Sequence, residues 1–217
     1  MVDMGGLWGG FYSISQVIAR LAYINMLWIG FTLLGGIVFG IMPATITVFA
    51  IIRKWRQGEK DLPIVKTFWR FYKREFVKAN LLGLVLAIFA YLLYLNLSLL
   101  QGGAVLFLIL RYILLFSCIL FFMMALMIFQ LYVNYNLSFL QYFKSALLIG
   151  LTYPHFLLLM VVGMIILQYV FMLIPGIIPF FSVSLLAYMM TVVADIIFNK
   201  IDRKDTSKEK HNEVVPT

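Results

Sequence analysis

SALLIGLTYPHFLLLMVVGMIILQYVFMLIPGIIPFFSVSLLAYMMTVVA, residues 145–194, contains no Asp, Glu, Lys or Arg. A bilayer core of about 30 Å is crossed by about 20 helical residues, so this stretch holds two crossings. Pro175, Gly176 and Pro179 mark the turn between them. The same reading extends outward. Residues 21–52, 79–110 and 112–143 are equally free of charge, and each exceeds one span, so each is tilted, broken or partly interfacial. The 217-residue chain is 64% hydrophobic and only 12% charged, where a soluble domain carries roughly 25% charge. The predicted fold class is an all-α polytopic transmembrane helix bundle.

Charge sets the orientation. Nine of the seventeen Lys and Arg residues fall between Arg53 and Lys78. Placing that segment, Lys144 and the tail from Lys200 on the cytoplasmic side satisfies the positive-inside rule, and Arg20 agrees if the N-terminus is inside. The same rule accounts for the net charge of +8, so no nucleic-acid partner is expected. No basic residue precedes Arg20 and no small-x-small site follows the first apolar run, so the first span is expected to stay attached rather than act as a cleaved signal. Cys118 is the sole cysteine and reads as lipid-facing or packed, with no intramolecular disulfide or cysteine zinc cluster available. No cofactor and no metal are expected.

Gly, Pro and polar residues divide the runs. The predicted spans are residues 13–34, 43–55, 79–98, 105–131, 147–173 and 180–198, in one transmembrane domain over residues 1–200. Pro43 is expected to open the second span, since proline suits a helix's first turn and not its interior. That span is short, and a five-span arrangement with an outside N-terminus is the alternative if residues 43–55 do not cross. Gln101, Gly102 and Gly103 form the next outer turn. Residues 201–217 mix both charge signs without apolar spacing and are expected to be a disordered cytoplasmic tail.

Val65, Phe68, Trp69, Tyr72, Phe76 and Ala79 follow helical spacing on one face, while Lys66, Arg70, Lys73, Arg74 and Lys78 occupy the other. An in-plane interfacial helix over residues 64–78 is therefore expected, capped by Asp61 with Pro63 in its first turn. Cations beside anionic headgroups favour the membrane surface by about 1 kcal/mol each. Arg53, Trp55, Arg56, Lys66, Trp69, Arg70, Lys73, Arg74 and Lys78 are the candidate contacts to anionic lipid or to a partner; an elbow feeding the next span is the plainer reading. Ionisable and amide groups inside apolar runs are the other candidates. Asn25, Arg111, His155, Gln168 and Asp195 are the residues that would line a polar intramembrane site. Each has a plainer role: Arg111 snorkelling to headgroups, Asp195 at an interface, His155 beside a kink at Pro154, the amides as glue between helices. No phosphate loop, paired intramembrane carboxylate or His-Glu-x-x-His helix is present, so no enzyme activity is expected.

Asn25, Trp28, the run Gly40, Ile41, Met42, Pro43, Ala44, Thr45, then Arg53, Trp55, Gly58, Glu59, Phe68, Trp69, and Phe76 through Val77, Lys78 and Ala79 to Asn80 resemble the YesL family of bacterial membrane proteins. The motif covers about the first 85 residues, and the rest resembles the family in length and hydropathy. The resemblance implies a Firmicute-type protein of the bacterial cytoplasmic membrane, often encoded beside polysaccharide-utilisation and sugar ABC-importer genes. It implies an accessory role in carbohydrate uptake, with a sugar ABC permease or a membrane sensor as partner; a small-solute transporter or channel is the alternative. It brings no catalytic residues.

Overall fold

In a computed structural model of the chain, the described residues are 7–59, 61–99 and 105–214. They contain seven α-helices and one 3-10 turn: α1 (Leu7–Leu34), α2 (Val38–Arg56), α3 (Ile64–Leu99), α4 (Val105–Asn134), α5 (Phe139–Thr152), α6 (Pro154–Leu173), the turn Pro175–Ile177 and α7 (Ile178–Val214). Six stretches are long and apolar enough to cross a membrane: Ile14–Leu34, α2, α3, α4, α6 and Pro175–Arg203. The Gln101–Gly103 turn, Lys60 and the last three tail positions lie outside the described residues.

Four expected boundaries move, each for a local reason. α2 begins at Val38 and encloses Pro43 instead of opening on it. α1 ends in a Schellman arrangement, with the Ile37 amide donating to the Thr32 carbonyl and the Gly36 amide to that of Leu33. Gly36 takes φ +70 and Ile37 φ +64, and the Val38 amide closes a γ-turn onto the Gly36 carbonyl at 2.8 Å. The chain has reversed by Val38, so the helix starts there. The interfacial helix expected at 64–78 and the span expected at 79–98 are one continuous helix, α3, because no Gly or Pro stands between Ile64 and Asn80.

The span expected at 147–173 is instead two helices. α5 starts at Phe139 on a capping box, the Ser138 amide donating to Gln141 Oε1 at 3.0 Å. It stops at Thr152, because the residue before a proline is pushed out of helical geometry and Tyr153 adopts φ −125, ψ 53. Beyond Phe198, α7 does not fray into the expected disordered tail but continues to Val214. Lys, Arg and Glu are good helix formers, no Gly or Pro occurs before Pro216, and extending a helix is far easier than nucleating one.

The Cα atoms group into two compact units: residues 1–85 with 165–188, and residues 86–164 with 189–217. In the first, Leu21, Ile24 and Phe31 of α1, the buried run Ala44 to Ile52 of α2 with Thr45 half-buried, and Phe68, Tyr72, Ala79 and Leu82 of α3 form the core. In the second, α5 runs antiparallel to the later half of α4. The Tyr132 and Tyr142 rings lie 5.1 Å apart, the Tyr142 hydroxyl donates to the Tyr135 carbonyl at 2.9 Å, and Gly150 lies against Met123.

Candidate functional site

Two asparagines of the first unit, Asn25 and Asn80, are committed to backbone atoms. Asn25 of α1 is completely buried. Its Nδ2 donates to the Pro179 carbonyl at 2.6 Å, and its Oδ1 accepts the Val183 amide at 3.0 Å and the Ser184 amide at 3.1 Å. An uninterrupted α-helix joins the Pro179 carbonyl to the Val183 amide directly. The Asn25 carboxamide bonds both of these groups in the first turns of α7.

A second asparagine does related work. Pro43 has no N–H, so the Phe39 carbonyl, four residues earlier, lacks its helical donor. Asn80 of α3 supplies one: its Nδ2 donates to the Phe39 carbonyl at 2.9 Å and to the Phe76 carbonyl of its own helix at 2.8 Å. Trp28 Nε1 donates to Thr45 Oγ1 at 3.0 Å, and that hydroxyl donates to the Ile41 carbonyl at 2.7 Å. A Cβ at Gly40 would collide with the backbone of Thr32, so glycine is what lets α1 and α2 approach there.

The basic segment divides between two places. Midway along α1, the Arg20 guanidinium lies 5.5 Å from the Trp55 ring centroid, Trp55 lies 5.7 Å from the Tyr188 ring, and Arg56 caps that ring at 5.7 Å. These are internal cation–π and ring contacts. Eleven residues along α1, about 16 Å on its axis, Phe31 packs on Phe68 at 4.6 Å and on Tyr72 at 5.2 Å. Lys54 pairs with Glu59 at 2.8 Å, Arg53 is half-buried with a partner of its own, and Arg74 sits between Glu75 at 2.7 Å and the Phe71 ring at 4.8 Å. Lys66, Arg70, Lys73 and Lys78 are exposed and form no ion pair among the described residues. Trp69 is half exposed beside them.

Of the five intramembrane candidates, Asn25 alone is buried. Arg111, His155 and Gln168 point outward, and Asp195 is half-buried with a partner. The His155 ring lies against Phe156, centroids 4.3 Å apart. Asn25 and Gln168 belong to the first unit, and Arg111, His155 and Asp195 to the second. In the second unit a buried polar pair is Gln130 Nε2 donating to Thr191 Oγ1 at 3.3 Å, an interhelical bond between α4 and α7. Sequence reading missed Tyr188 and the pairing of Asn80 with Phe39. The latter had a signal: a proline inside an apolar helix orphans the carbonyl four residues back, and Asn80 belongs to the same motif.

Six apolar helices, with the buried Asn25 amide spent on helix backbone, define a multi-pass helical membrane protein. The family model described as "Protein of unknown function, DUF624" matches residues 21–97, which include Asn25, Trp28, Gly40, Pro43, Trp55 and Asn80. Uncharacterized protein YteU of Bacillus subtilis (strain 168) is 37% identical over 213 residues, 98% of this chain and 96% of that protein. Uncharacterized proteins YesV and YesL of the same organism are 35% identical over 186 residues (84% and 88% of the two chains) and 28% over 193 residues (89% and 91%). The chain belongs to this YesL-like DUF624 family. No solved structure matches it.

Proposed function

We propose that the protein is a non-enzymatic accessory subunit of carbohydrate uptake in the bacterial cytoplasmic membrane, its C-terminus cytoplasmic, packing its helices against those of a sugar permease or membrane sensor. The observation that carries this reading is the state of the α3 and α4 segments in the second unit. Residues 87–92 of α3 and 105–113 of α4 are exposed on every side of their helices, so they have apolar surface for foreign helices as well as for lipid. The outward direction of Arg111, His155 and Gln168 favours it over a solute pathway, which needs such groups turned inward.

The test is photo-crosslinking in native membranes from cells growing on polysaccharide, with a photoreactive residue at Ile109 or Phe116. The expected product joins the protein to a transport or sensor subunit. Recovery of uncrosslinked monomer, together with sugar movement by the purified protein alone in liposomes, would replace this reading with the transporter.

A further inference from the structure

We infer that the outward face of α3 is a binding site for anionic phospholipid, with Arg70, Lys73 and Lys78 on the phosphate and Val77, Leu81 and Leu84 on the acyl chain. The inference rests on the membrane class alone and not on the carbohydrate role. Positions 66, 70, 73, 77, 81 and 84 are spaced three and four apart, one strip of a continuous helix. The strip is exposed along its length, and Val77, Leu81 and Leu84 are 77%, 49% and 57% exposed. Its chemistry changes once. It reads Lys, Arg, Lys and then Val, Leu, Leu.

That single change from cation to hydrocarbon, between Lys73 and Val77, places the water boundary there, and Lys78 on the adjoining flank reaches back to it. Arg70 to Lys78 covers about 12 Å of helix axis, while each headgroup layer is about 5–8 Å deep. Long basic side chains bend along the helix to close the difference. Trp69, half exposed on the flank of the strip, has the amphipathic ring that favours this depth. The three cations form no ion pair among the described residues, so their charge is available. A phospholipid presents an anion followed by hydrocarbon in the order this strip requires. An acidic cytosolic protein would match the cations and leave the leucines unmatched.

The experiment is native mass spectrometry of the full-length protein in mild detergent, offered equal phosphatidylglycerol and phosphatidylcholine. The wild type is expected to retain the anionic lipid over the zwitterionic one by roughly tenfold or more. Arg70→Gln/Lys73→Gln/Lys78→Gln is expected to bring the ratio near one; these are surface positions, so the helix should still fold. Lys144→Gln/Lys200→Gln/Arg203→Gln removes equal charge elsewhere and should keep the preference. An unselective wild type overturns the site. So does equal loss in both triple variants, which reduces the effect to net charge, or release of a co-purified polypeptide by the α3 variant, which makes the occupant a protein.

Discussion

Pro43 and Pro154 both interrupt apolar sequence, and the chain treats them differently. Around Pro43, α2 stays helical because Asn80 donates to the carbonyl that the proline orphans. At Pro154 the helix ends and a new one begins, the Tyr153 amide closing α5 onto the Ile149 carbonyl and the Phe156 amide opening α6 onto that of Tyr153. Proline does not decide by itself whether an apolar helix breaks. A carboxamide from a neighbouring helix lets it continue, and Asn25 likewise bonds backbone groups at the start of α7, though none of them is orphaned by a proline.

The largest effect should come from Asn25→Leu. Leucine keeps asparagine's branching and heavy-atom count, is bulkier and has no polar atoms, so the Pro179 carbonyl and the Val183 and Ser184 amides lose the carboxamide while the side chain still occupies its place. A destabilisation of about 3 kcal/mol is expected, read as a lowered unfolding midpoint in detergent. Asn25→Ala should cost less, because α7 can then close its own bond. An equal or larger loss for alanine would mean that the carboxamide does not stand in for a helical bond.

Asn80→Leu should cost about 1–2 kcal/mol, one carbonyl being left without its donor. Pro43→Ala supplies a backbone amide for the same carbonyl, so the double variant should recover most of the loss. Additive costs in that double-mutant cycle would break the link between Pro43 and Asn80.

Much of the helix count is legible in the sequence because charge-free length alone demands it. Helix ends are less so. The γ-turn at Ile37 puts a β-branched residue at positive φ, a choice that local propensity argues against, and α3 runs through a boundary that composition suggested at residue 79. The sequence marks Asn25 as an interhelical amide without indicating that its partner is the backbone 154 residues later. For the basic segment, a linear reading joins Trp55 to Lys78, whereas folding turns Trp55 and Arg56 onto Arg20 and Tyr188 and leaves the outward strip of α3 free. Such pairings depend on which helices become neighbours, which periodicity does not encode.

Pro154→Ala should have the smallest effect on stability, below about 1 kcal/mol, since alanine restores an amide in a segment whose flanking helices already hold their own ends. Its effect should be on direction. Leu148 of α5 and Leu158 of α6 are both exposed, and ten residues of unbroken helix separate such positions by about 15 Å. Spin labels there, in a background with Cys118 replaced, should give another distance in the wild type and move to about 15 Å in the variant as Tyr153 becomes helical. A wild-type distance already at that value would remove the contrast with Pro43. If the distance instead stays fixed on substitution, the packing of buried Tyr153 holds the bend, and proline only accommodates it.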